Sequence, residues 1–328
     1  MAIPRRGVIT GPLPMYRFDP LTGFWGIPHA ERMIAFEGDN GPVIRIRHNS
    51  QGNRDREFSS FKGKRNFLCL GGSHTWGAFV RDGERYSDIL RLKTGLNFMN
   101  LGHPSLGLDQ ICITLTEKTN QYSPEGVVVE QYPWAFHRVL TSFVNGYLKP
   151  CFYIDSCQEL QVHRLSPLAK YKVYRNVVGT YQALKKELSE FKNDIDIKSA
   201  YDPLTDPVFL LWKQKYYEYG YELFARIAKR MSEYCVRKKI KFLLFLTAHQ
   251  QQFLCSSKSE LIDYHLPLEK LRLVLSRYHV PFVEFAPALL AEHAAGKPVI
   301  MPDGHLNAYG HAVVARELKK ELVQREWF

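Results

Sequence analysis

Three residue types that cooperate in nucleophilic catalysis sit in two short stretches of this 328-residue chain. Ser73 lies in residues 66–80, NFLCLGGSHTWGAFV, and Asp303 and His305 lie in the DGH of residues 303–305. A serine hydroxyl is a poor nucleophile until a base removes its proton. A neutral histidine near pH 7 can be that base, and a carboxylate can fix its tautomer and stabilise the imidazolium. Ser73, His305 and Asp303 supply those three roles. Each stretch also has a plainer reading: Ser73 as a helix N-cap, and DGH as a polar loop that caps a helix.

The surrounding elements must bring the two stretches together. Residues 67–70, FLCL, form the unbroken apolar run of a buried parallel strand. Gly71 and Gly72 allow a sharp turn, and a helix is expected from about Thr75 to Thr94. This places the serine hydroxyl at the carboxyl edge of a sheet, where helix N–H groups can face a developing negative charge. Asn307 is a suitable cap for a last helix over about 308–325, so Asp303 and His305 share the loop before it, at the same edge.

Further strands are expected at about 97–101, 127–131, 241–246 and 281–285, with a helix over about 109–121. Strands alternating with helices predict a parallel, doubly wound sheet with ligands at the strands' carboxyl ends. Roughly 100 residues separate the third and fourth strands, too many for a simple crossover. They predict a lid or specificity insert at about 138–240, with helices near 171–191 and 208–238. Tyr132, Trp134, Phe136, Phe143, Tyr147, Phe152 and Tyr153 are dense there. They suit an acyl or sugar pocket, or the packing of the insert onto the sheet. Residues 1–65 are punctuated by proline, and VIRIRH at 43–48 alternates as a half-exposed strand does. They predict a β-hairpin extension packed on a domain spanning 66–328.

Composition narrows the class. Apolar residues make up 45% of the chain, enough for a sizeable core. No run approaches the ~18 apolar residues of a membrane span, and the start, MAIPRR, lacks an apolar signal core, so a cytoplasmic protein is expected. The cysteines form no CxxC pair, and His103, His137 and His249 are scattered, so neither disulfides nor a metal site is expected. The net charge is +11, and residues 161–241 hold 17 Lys/Arg against 9 Asp/Glu. That excess suits a solvated helical face or an anion site. There is no helix-turn-helix, zinc-finger or RNP signature, so no nucleic-acid partner is expected.

Over about residues 66–131 and 241–325 the sequence resembles the SGNH (GDSL-like) hydrolases. The resemblance rests on LGGSHTWG (70–77), NLGHPSLG (100–107) and DGHLNAYGH (303–311), in that order and spacing. It implies an α/β fold, a flavodoxin-like three-layer α/β/α sandwich with a five-stranded parallel sheet. It also implies ester hydrolysis through an acyl-serine, with no metal and no cofactor. By position, Ser73 matches the nucleophile, His305 the base and Asp303 its orienting acid. The N–H groups of Ser73 and Ser105 match two oxyanion donors, Ser105 standing where the family has glycine. Gly72, His74, Gly102 and Tyr132 fall on the substrate side. The family's GxND motif after the third strand is absent. The chain reads Gln131-Tyr132-Pro133-Trp134 there, leaving Gln131 or the Trp134 indole as replacement donor. The expected function is a serine esterase or acyl hydrolase (EC 3.1) acting on a small ester, such as an acetyl or acyl ester of a sugar or metabolite. An O-acyltransferase on the same fold, or a non-catalytic module binding an anionic ligand or partner, are the alternatives.

Overall fold

A computed structural model describes residues 9–10, 15–34, 43–61, 65–144, 147–171, 207–248, 252–253, 265–302 and 304–328. Its centre is a sheet of five parallel strands: β1 (Asn66–Leu70), β2 (Asn97–Asn100), β3 (Gly126–Gln131), β4 (Lys241–Leu246) and β5 (Phe282–Glu284). Their order is β2-β1-β3-β4-β5, that of the flavodoxin-like sandwich the resemblance implies. The chain starts at β1, steps out to β2 and returns to β3. The connections after β1 and β3 therefore leave the sheet in opposite directions, which makes their carboxyl ends the topological switch point. Residues 67–70 and 127–129 are at most 1% exposed. They read as continuous apolar runs because helices cover both faces of the sheet.

The helices are α1 (Ser73–Trp76), α2 (Tyr86–Thr94), α3 (Leu108–Ile113), α4 (Pro207–Arg237), α5 (Leu266–Arg277), α6 (Ala286–Ala294) and α7 (Ala308–Gln324). On one face α7 packs against α2 and α6, and on the other α4 packs against α3 and α5. The result is a three-layer α/β/α sandwich.

Three elements differ from their sequence reading. The helix expected over 75–94 is two helices. Gly77, at φ +83°, ends α1 in the left-handed region, and a loop runs to α2. The buried guanidinium of Arg54 satisfies the carbonyls of that loop, donating to Gly77 O and, at 2.6 Å, to Val80 O. The helix expected over 109–121 ends as α3 and passes into a wide π turn at Thr114–Lys118. The described part of the insert includes a core helix. Leu223, Phe224, Ile227 and Met231 of α4 lie in the main core, so α4 is the crossover helix between β3 and β4. The helix expected near 171–191 falls outside the described residues.

The front piece holds more than one hairpin. Ile9–Thr10, Glu31–Ile34 and Ile44–Arg47 form an antiparallel sheet, and Tyr16–Asp19 pairs with Gly23–Gly26. Ile44 and Ile46 are buried, and Arg45 and Arg47 are exposed, as the alternation requires. Trp25 fixes this piece to the core, its ring 4.0 Å from that of His103, and Gln110 Nε2 donates to Thr22 O at 2.7 Å. Among the described residues no helix is long and apolar enough to cross a membrane. All the described cysteines are free; Cys255 lies outside the described residues.

Candidate active site

The turn after β1 is built by close approach. A Cβ on Gly71 would lie 2.1 Å from Thr75 Oγ1 and 2.8 Å from Glu130 Oε2, so only glycine fits. Gly72 is the N-cap of α1 and accepts from Trp76 N at 3.0 Å. Ser73 is the first helical residue, so its N–H stays outside the helical ladder.

The loop before α7 supplies the second group. Met301 N–H donates to His305 O at 2.7 Å, and Gly304 N–H donates to Met301 O at 2.9 Å. Asn307 caps α7 through Gly310 N–H at 2.9 Å. These contacts set His305 with Nε2 2.9 Å from Ser73 Oγ. In the tautomer that accepts the serine proton, Nδ1 carries the hydrogen. The His305 ring is flanked by His74 at 5.5 Å and by Phe79 at 5.2 Å. Asp303 lies outside the described residues.

The loop after β2 is laced to the serine turn. His103 N–H donates to Gly71 O at 3.2 Å, and Asn100 Nδ2 donates to Thr75 O at 2.6 Å. A Cβ on Gly102 would lie 2.5 Å from Trp76 N, so this glycine serves close packing against α1. Ser105 stands in the left-handed region at φ +65°, a conformation that glycine adopts freely and serine at a cost. His103 is fully buried, and burial pushes its pKa well down, so it is neutral. His311 is likewise buried, pushed down to about 3, and its Nδ1 accepts from Tyr86 N–H at 3.3 Å. His137 is exposed, and His249 is outside the described residues.

The structure separates the remaining sequence candidates. Gly72, His74 and Tyr132 gather beside Ser73 and His305, with the Tyr132 ring 5.9 Å from that of His74. Gln131 is buried, and its Nε2 donates to Glu130 O at 2.6 Å, which draws its amide toward the sheet. Trp134 packs against Phe136, which is buried against Tyr221. Phe136 and Phe152 belong to the core.

Two residues at the site escaped the sequence reading. Glu130 on β3 lies beneath the serine turn. It accepts from Gly72 N–H and from Thr75 Oγ1, both at 3.3 Å, and its Oε1 lies 3.6 Å from His74 Nδ1. Burial pushes its carboxyl pKa up, opposed by the Gly72 N–H and the Arg138 charge. A charged residue closing the buried run VVVEQ is the signal that marked it. Arg138 follows β3. Its Nη1 donates to Leu106 O at 3.1 Å and its Nη2 to Tyr132 Oη at 2.9 Å. No local pattern in the sequence announced it.

A hydroxyl paired with an imidazole at a helix start, at the carboxyl edge of the sheet, is arranged for acyl chemistry at an oxygen nucleophile. Among the described residues no group of three or more His, Cys, Asp or Glu side chains is placed to hold a metal ion.

No family model and no curated protein matches the chain. Solved structures with a similar fold include a member of the lipolytic G-D-S-L family from Veillonella parvula. It is 12% identical, with a TM-score of 0.42, over 78% of this chain and 97% of that one. An acetyl xylan esterase is 13% identical, with a TM-score of 0.44, over 78% and 99%. A putative acylhydrolase from Bacteroides fragilis is 11% identical, with a TM-score of 0.41, over 80% and 89%.

Proposed function

We propose that this chain is a serine esterase that hydrolyses a small ester, such as an acetyl or acyl ester of a sugar or metabolite. The observation that carries this reading is the 2.9 Å contact between His305 Nε2 and Ser73 Oγ. Ser73 Oγ attacks the ester carbonyl as its proton passes to His305 Nε2. The negative charge that forms on the carbonyl oxygen faces the N–H groups of Ser73 and Ser105. The tetrahedral adduct collapses, the alcohol leaves with the proton from His305, and an acyl-serine remains. His305 then takes a proton from water, which attacks the acyl-serine; the C–Oγ bond breaks, the acid leaves, and His305 returns the proton to Ser73 Oγ. Asp303 is assigned to orient His305. Glu130, through Gly72 and His74, holds the turn that carries the serine.

The test is hydrolysis of 4-nitrophenyl acetate and of acetylated sugars by the wild type, Ser73→Ala and His305→Ala. Release of acetate by the wild type, with a loss of about 10⁴-fold or more in either variant, supports the reading. Equal rates in wild type and Ser73→Ala would refute it.

A further inference from the structure

The loop after β3 lacks the side-chain amide that the sequence resemblance leads one to expect, and the Gln131 amide donates to its own strand. Arg138 stands in the 3-10 helix Pro133–Leu140 that follows β3. Its guanidinium links the segments that follow β1, β2 and β3. It donates to Leu106 O, next to Ser105, and to Tyr132 Oη, and it lies over Gly72, next to Ser73. Two glycines leave room for it. A Cβ on Gly72 would lie 3.3 Å from Arg138 Nη1, and a Cβ on Gly107 3.1 Å from Arg138 Cβ. The guanidinium also covers the Tyr132 ring, 5.1 Å from its centroid. These contacts orient a planar fork whose hydrogen bonds to Leu106 and Tyr132 take two of its five N–H groups.

We propose that Arg138 donates the third hydrogen bond to the oxyanion formed when Ser73 attacks the ester carbonyl. The proposal rests on the hydrolase reading above. In that step the Oγ–C bond forms, the serine proton moves to His305 Nε2, and the carbonyl π pair becomes a full negative charge on oxygen. Arg138 keeps all its protons and meets that charge alongside the N–H groups of Ser73 and Ser105. A fixed positive fork in a half-buried site gains more from the anion than from the neutral carbonyl. Its contribution therefore belongs to kcat rather than to KM.

The test uses the full chain and two substrates, neutral 4-nitrophenyl acetate and the anionic mono-4-nitrophenyl succinate. Arg138→Gln is expected to lower kcat about 10²-fold on both esters, with KM moved by less than about threefold. Arg138→Lys should recover part of the loss, because charge is kept and the fork is not. Tyr132→Phe removes one anchor of the guanidinium and should lower kcat by less than Arg138→Gln. Thermal midpoints and fluorophosphonate labelling of Ser73 accompany each variant, so that unfolding is not mistaken for lost catalysis. Unchanged kcat on the acetate in Arg138→Gln would overturn the proposal. So would a loss seen only as raised KM for the succinate, which would make Arg138 a reader of substrate charge. Both results leave an active, labelled Ser73 and so leave the hydrolase reading intact. A wild type that neither labels nor turns over ester refutes that reading, and the Arg138 assignment with it.

Discussion

His305 Nε2 lies 2.9 Å from Ser73 Oγ, and the two residues are 232 positions apart in the chain. The contact is made at the starts of two helices. At one, β1 delivers Ser73 to the start of α1. At the other, the stretch before α7, clipped by the Ile300–Leu306 bridge, delivers His305. At this distance a proton can pass as Oγ attacks, without a change of backbone.

Ser105 pays for its place in the loop after β2 with a left-handed backbone, φ +65°. That conformation costs about 1–2 kcal/mol in a non-glycine residue, against about 0.5–1 kcal/mol for the extra freedom of glycine in the unfolded chain. Ser105→Gly keeps the N–H and is expected to raise stability by roughly 0.5–1 kcal/mol. The urea midpoint should rise at constant slope with esterase activity retained. A lower midpoint would show that the serine side chain stabilises the turn.

Glu130 makes stability depend on pH. Burial raises its carboxyl pKa in the folded chain, so the folded state holds the proton more tightly than the unfolded one. Its stabilising contribution is complete below the unfolded value, about 4.3, and is lost as pH rises through the folded value. Glutamine does not ionise. The stability of Glu130→Gln relative to wild type should therefore grow in the variant's favour from about pH 4 upward, then level off. Urea unfolding of both proteins across that range measures it. A difference that does not vary with pH would contradict the assignment.

Trp25 ties the front piece to the loop that carries Ser105. It is buried against His103, its Nε1–H donates to Gln51 O at 3.0 Å, and Lys118 Nζ lies 4.0 Å from the centroid of its ring. Trp25→Ala is expected to cost about 3 kcal/mol by denaturant unfolding. It should also lower kcat, because His103 and Ser105 lie in one short loop. A loss under about 1 kcal/mol would mean that the front piece does not brace the core.

Much of this was legible in the sequence. Apolar runs of strand length announced β1, β3 and β4, because a sheet covered on both faces leaves no polar alternation to confuse them. The pairing of Ser73 with His305 was legible because each stands at a strand or helix end marked by glycine or a cap. The break between α1 and α2 was passed over although Gly77 marks it, because the loop's carbonyls find their donor in Arg54, distant in sequence. Arg138 was hidden for a related reason. Its position is fixed by Leu106 and Tyr132, which only the folded chain brings to one guanidinium. The burial of Leu223, Phe224, Ile227 and Met231 on α4 was not read from the insert's length, because length alone does not tell which of its helices pack on the sheet.

The central claim is that Ser73 is an activated nucleophile with His305 as its base. Labelling of the full chain with a fluorophosphonate probe tests it most directly, followed by peptide mapping and comparison with Ser73→Ala and His305→Ala. The expected result is one adduct on Ser73 in the wild type, none in Ser73→Ala, and a rate at least about 10²-fold lower in His305→Ala. A folded wild type that takes no label, or label that persists in Ser73→Ala, would contradict it.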